Sequence, residues 1–157
     1  MLSDVDLSHL RRAIDLAATA RANGNHPFGA VLAGSTGELL AEAENSVVTD
    51  RDPTAHAEMN LVRAASTRYD RDVLAASTLF TSAEPCAMCA GAIYWSGIGR
   101  VVYALPEVSL YRLTGHDPND KPLDLPCREL FAHGARRVEV AGPALEMEAE
   151  EVHRGFW

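Results

Sequence analysis

The sequence predicts a three-layer α/β/α sandwich with a mixed five-stranded sheet. Three observations carry this. Five short apolar runs are spaced through the chain and alternate with stretches of helical periodicity. The first two runs are joined by a tight turn, which makes an antiparallel hairpin. Later runs are separated by helix-length segments, which imply crossovers, parallel neighbours and helices on both faces.

Taken in order, Leu7, Leu10, Ile14, Ala17 and Ala18 recur at helical spacing. A helix is expected over about Ser3 to Arg21, ended by Asn23-Gly24-Asn25. Phe28 to Leu32 is short, apolar and flanked by glycines, a strand; Ser35-Thr36-Gly37 turns the chain, and Glu38 to Asn45 returns. Asp50 to Pro53 is a loop. From Thr54 the pattern is helical, with Ala57, Leu61, Ala64 and Ala65 on one face and Met59 and Val62 on another, so this helix is buried. Thr78 to Ser82 is the third strand. Pro85 occupies a favoured first helical position, and Cys86 to Tyr94 continues as an Ala- and Gly-rich helix. Arg100 to Ala104 is the fourth strand. The region from Pro106 to Pro126 is expected to be irregular around one short apolar piece. Cys127 to His133 is read as a helix, Arg136 to Val140 as the fifth strand and Ala144 to His153 as a terminal helix.

The 157 residues suit one domain, 1–157, that buries about 70% of its unfolded surface. Hydrophobic residues at 47% and charged residues at 23% are those of an ordinary globular chain. No apolar run reaches the ~20 residues that span a bilayer, and the acidic start Met1-Leu2-Ser3-Asp4-Val5-Asp6 is unlike a secretory signal. Three cysteines, two of them in a C-x-x-C, fit metal binding in a reducing compartment, so a cytoplasmic location is expected. A net charge of −8 argues against a general nucleic-acid binder.

The chemistry concentrates in His56-Ala57-Glu58 and Pro85-Cys86-Ala87-Met88-Cys89. His56, Cys86 and Cys89 form a nitrogen–sulfur set that suits zinc, and three protein ligands leave a fourth position open for catalysis. Cys86 and Cys89, i and i+3 at a helix start, put both thiols on one side, where the positive helix end favours thiolates. His56 and Glu58 would point about 200° apart deep in a helix, but in a first turn both reach a metal beyond its end. Glu58 is then the proton carrier. A C-x-x-C alone also serves closed structural zinc sites, and Cys127 could complete a Cys₃His set; Glu58 and Pro85 have no role in such a site. With catalysis, Cys127 is a buried small hydrophobe.

H-x-E followed by P-C-x-x-C is the signature of zinc-dependent nucleobase deaminases. At these residues the sequence resembles the cytidine/deoxycytidylate deaminase superfamily. The longer strings Asp52-Pro53-Thr54-Ala55-His56-Ala57-Glu58 and Glu84-Pro85-Cys86-Ala87-Met88-Cys89 are similar to its bacterial guanine deaminase and tRNA adenosine deaminase branches. The resemblance implies a cytidine deaminase-like fold, Zn2+ as cofactor and hydrolytic loss of ammonia from a cyclic amidine, with Glu58 carrying protons. It also implies substrate contact from Asn45, the alternative being a turn cap. Phe28, in a Pro-Phe-Gly-Ala string like that of guanine deaminases, stacks on a ring or enters the core. Backbone groups of Ala57 and of Ser82 to Glu84 are placed to meet the edge of a base. Tyr94-Trp95 resembles the Tyr-Trp after the cysteine helix, with helical packing as the alternative for Trp95. Thr114-Gly115-His116-Asp117 resembles a Gly-Phe-Asp-Asp segment that implies Asp117 as a carboxylate near the base. Phe156 and Trp157 end the chain as a docked tail, a pocket lid or a contact with a partner subunit, and the resemblance together with the small residues of the cysteine helix implies a homodimer.

Three functions are compatible with these residues. The first is deamination of a free nucleobase or close analogue, guanine-like, an aminopyrimidine or an aminotriazine, with a cytosine deaminase standing as an alternative to it. The second is a tRNA-specific adenosine deaminase. The third, a zinc-stabilised interaction module, has no use for Glu58. Glu139 to Trp157 hold five acids and one base, so the tail repels a tRNA and favours a small-molecule substrate.

Overall fold

The computed structural model describes residues 1–115 and 123–157. Its first helix, α1 (Asp4–Ala22), starts from a capping box: the Ser3 hydroxyl accepts from the Asp6 N–H, and the Asp6 carboxylate accepts from the Ser3 N–H. The hairpin β1 (Gly29–Ala33) and β2 (Leu39–Glu44) follows, then α2 (Val47–Asp50), α3 (Ala57–Arg68) and α4 (Arg71–Ala75). Next come β3 (Thr78–Ala83), α5 (Ala87–Ser96), β4 (Arg100–Leu105) and α6 (Glu107–Leu113). The chain closes with α7 (Cys127–Ala132), β5 (Glu139–Ala141) and α8 (Glu146–His153).

The sheet runs β2-β1-β3-β4-β5, with β1 antiparallel to both neighbours and β3, β4 and β5 parallel. Strand alternation divides the core into two layers. Val31 and Ala33 of β1, with Phe80, Val102 and Ala104, meet Leu10, Ala13 and Leu16 of α1 and Ala149 of α8. Ala30 and Leu32, with Leu79, Val101 and Tyr103, meet Leu61 of α3, Ala90 and Ile93 of α5 and Phe131 of α7. This is the expected three-layer sandwich. At Gly29 a Cβ would lie 2.3 Å from the Ala13 carbonyl oxygen, so α1 sits on β1 at a distance that no larger residue permits. No helix among the described residues is long and apolar enough to cross a membrane.

Four boundaries differ from the sequence reading. Pro85 lies outside α5, one residue before its N-cap, which is Cys86. The segment after Pro106 is a helix, α6, where irregular chain was expected; Pro106 caps it and Leu110 packs toward the sheet. The short helices α2 and α4 carry too few periodic positions to register as pattern. The fifth strand is Glu139–Ala141, displaced from Arg136–Val140, because the Arg136 side chain donates to the carbonyls of Ile98 and Tyr94 and holds its own backbone off the sheet.

The start of α1 is also tied to the sheet. Arg100 at the start of β4 donates to both Asp6 oxygens, at 2.7 and 3.3 Å, and this holds the Asp6 carboxyl at about 2. A carboxyl depressed in the folded state stabilises it above the unfolded pKa, and that contribution disappears as pH falls through the folded one. Asp6→Ala is therefore expected to cost about 1–2 kcal/mol near neutrality, discounted for the partly wet site. In urea melts its deficit against the unmodified protein should narrow as pH falls from about 4 toward 2. A deficit constant over that window would rule out the ion pair as its source.

Candidate active site

Two helices begin at the same place, each with an unusual N-cap. His56 caps α3 and Cys86 caps α5, yet neither side chain hydrogen-bonds to its own helix as Ser, Thr or Asp would. Both turn instead toward a shared point. His56 Nδ1 lies 3.7 Å from the Cys86 sulfur and 3.5 Å from the Cys89 sulfur, and the three donor atoms lie within 4.8 Å of one another. A tetrahedral zinc with bonds of about 2.0 Å to nitrogen and 2.3 Å to sulfur sets such atoms roughly 3.5 Å apart, so the triad fits the ion. Two positive helix ends face the same spot and favour thiolates there.

The electrostatics follow from this crowding. The two thiols share one charge: the Cys89 S–H donates to Cys86 and, with His56, pulls the Cys86 thiol down to about 4 despite its burial. Cys89, bonded to that thiolate, buried and beside Glu58, is pushed up. His56 is raised, chiefly by its bond to Cys86 and against its burial.

Glu58, in the first turn of α3, is buried, and burial followed by the Cys86 charge raises its carboxyl. Its Oε1 is 3.0 Å from the Thr81 hydroxyl, and its Oε2 is 3.6 Å from the Cys89 sulfur. The Thr81 oxygen is also 2.9 Å from the Ala83 carbonyl. That hydroxyl has a single hydrogen. When it is given to Ala83, the bond to Glu58 needs a proton on the carboxyl. When it is given to Glu58, the carboxylate is ionised. The site thus accommodates both states of a proton carrier.

A cavity of about 200 Å³ opens over this group, lined by Phe28, His56, Glu58, Ala83, Glu84, Cys86, Glu107, Leu110 and Tyr111. Glu84 lines it while its carboxylate takes the backbone N–H groups of Glu107 and Cys127, joining the starts of α6 and α7 to the metal side. Its own N–H is engaged by the Leu105 carbonyl and is not available to a base. Ser82 is buried with its hydroxyl on the Gly29 N–H, and Ala57 is buried beside Glu58. Asn45 is buried; Oδ1 accepts from the Val47 N–H as a turn cap, while Nδ2 has no hydrogen-bond partner among the described residues.

Two aromatic residues lie elsewhere than expected. Trp95 is 79% exposed and rests edge-on against Tyr94. Six residues beyond Cys89, it is turned about 240° around α5 and faces away from the cavity. Trp157 does not line the cavity but stands behind Phe28, ring centroids 6.4 Å apart, with its indole N–H on His153 Nδ1. His153 also packs on Phe28, so the tail folds within its own chain and backs the cavity wall. Cys127 is buried in the core and stands outside the metal triad. Asp117 lies outside the described residues. The sequence reading missed Thr81, Glu107 and Tyr111, which belong to no motif and reach the site only through packing.

A profile of the cytidine and deoxycytidylate deaminase zinc-binding region matches residues 3–105. The chain belongs to this deaminase family. Over 156 residues it is 42% identical to a Schizosaccharomyces pombe protein named probable cytosine deaminase, covering 99% of this chain and 94% of that one. It is 41% identical over 105 residues to the tRNA-specific adenosine deaminase of Haemophilus influenzae, covering 67% of this chain and 61% of that one. The solved guanine deaminase of Nitrosomonas europaea superposes with a TM-score of 0.78 at 26% identity, over 99% of this chain and 85% of that one. The names of these deaminases give different substrates.

Proposed function

We propose that this deaminase hydrolyses the amine of a free nucleobase or close analogue: a guanine-like purine, an aminopyrimidine or an aminotriazine. The carrying observation is the cavity. At about 200 Å³ it is smaller than the roughly 300–1,000 Å³ of sites for drug-sized ligands, and its lining combines Phe28 and Leu110 with Glu58, Glu84 and Glu107. A flat ring fits such a slot, while a ribose or an anticodon arm needs space beyond it. Whole-length similarity to the S. pombe protein supports including cytosine among the candidate bases.

His56, Cys86 and Cys89 would hold zinc, which when bound supplies a Lewis acid and lowers the pKa of water. The residues of the chain do the rest. Phe28 presents a ring face to stack on a planar base. Glu58 takes one proton from water and passes it to a ring nitrogen while the water oxygen bonds to the carbon bearing the amine; it then moves the remaining hydroxyl proton to the amine, so the C–N bond breaks, a carbonyl forms and ammonia leaves. Thr81 holds the Glu58 carboxyl in place through both protonation states. The apolar wall and the folded tail keep bulk water out, which strengthens these charges.

The test is ammonia release from guanine, cytosine, adenine, aminotriazines and the corresponding nucleosides, beside an anticodon stem-loop. Turnover of a free base well above its nucleoside is expected. Deleting Phe156 and Trp157 should lower kcat/KM by about three- to tenfold, the worth of the aromatic contacts on Phe28, and leave zinc in place. Efficient turnover of the stem-loop with none of the bases deaminated would overturn the proposal in favour of the tRNA reading.

A further inference from the structure

The wall of the cavity holds a second acid with an unanswered oxygen. Glu107, the first residue of α6, is only 5% exposed. Its Oε1 accepts from the Tyr111 hydroxyl at 2.7 Å, one turn along the same helix. Its Oε2 is buried and has no hydrogen-bond partner among the described residues. Both Glu107 and Tyr111 line the cavity with Glu58, His56 and Cys86.

An unanswered carboxylate oxygen in a buried wall costs folding free energy, and native proteins seldom leave one without a use. Fold maintenance does not explain it. The hydrogen bond that anchors the start of α6 runs from the Glu107 backbone N–H to Glu84 and needs no Glu107 side chain. Leucine or methionine would pack against Leu110 and Phe28 without that cost. Tyr111 engages one oxygen and leaves the other without a partner among the described residues.

We propose that Glu107 is a specificity-determining residue whose Oε2 accepts a hydrogen bond from an N–H of the base other than those of the departing amine. The inference rests on the free-base reading and narrows its substrate class. The site takes bases that carry a free ring N–H or a second amino group, as cytosine and guanine do, and disfavours those in which a methyl or a sugar replaces that hydrogen. A site built to receive an N–H rejects the analogue lacking it, because the buried acceptor then stays unpaired.

The experiment compares kcat/KM for cytosine with 1-methylcytosine, and for guanine with 1-methylguanine and 9-methylguanine, in the zinc-loaded protein and in Glu107→Met and Glu107→Gln. Methionine has a similar length and no acceptor oxygen. The expected result is a loss of about 10- to 100-fold for the parent base in Glu107→Met with little change for the methylated base, so the ratio between them collapses. Zinc content should be unchanged and the thermal midpoint equal or higher. Glu107→Gln keeps one acceptor oxygen and should lower the ratio by less; it carries the test if the methionine variant does not fold. Equal loss on both members of every pair, or an unchanged ratio, overturns the inference while leaving free-base deamination intact. A wild-type protein that turns over none of these bases removes the underlying reading as well.

Discussion

Glu58→Ala is expected to lower kcat by at least about 10²–10⁴-fold, the range for losing a general acid–base, while the protein stays folded and keeps its metal. The expectation follows from where the carboxylate lies. It is buried two residues past His56 but stands outside the triad of His56, Cys86 and Cys89, so removing it takes nothing from the metal. Its neighbours are a hydroxyl that can give or receive a proton and the Cys89 sulfur. Glu58→Gln is the sharper variant. It keeps the size of the side chain and a bond to Thr81 but cannot take up and release a proton, so it should fail as badly as alanine. Metal analysis and circular dichroism would accompany the kinetics. Near-normal turnover in a folded, metal-loaded Gln variant would end the proton-carrier role.

Cys86→Ser is expected to abolish both metal and turnover. We propose about one zinc for each chain in the intact protein and essentially none in this variant. Cys86 is the most easily ionised ligand, its thiol held at about 4 by the Cys89 donor and His56, and a serine hydroxyl does not ionise in this range. With it gone, one thiol and one imidazole remain, too few for a tight tetrahedral site. Chelation should do the same reversibly, and because ligand binding adds to folding free energy, the apo protein should melt at a lower temperature. Elemental analysis and melting curves with and without added zinc provide the check. A metal-free preparation with full activity would refute the assignment of the triad.

The parts of this site that were legible in the sequence are those with local geometry. Cys86 and Cys89 face one way because i and i+3 at a helix start always do, and His56 and Glu58 share a first turn. Strand runs and the Ser35-Thr36-Gly37 turn were legible for the same reason: period and turn chemistry act over a few residues. Trp95 shows the limit of this. A resemblance placed it near the base, yet its angle around α5 turns it to solvent.

By itself the sequence determined the layered fold and the His56, Cys86 and Cys89 set that the structure brings together, since spacing along one chain carries both. Tertiary structure alone decided the rest of the cavity lining. Glu84 meets Glu107 across 23 positions, and Phe28 meets Trp157 across 129. No periodicity marks either pair, because each contact arises where separate elements pack and has no repeat to reveal it. Glu107 reads in sequence as an ordinary surface acid, and only the packing of α6 over the sheet buries it and leaves one oxygen without a partner.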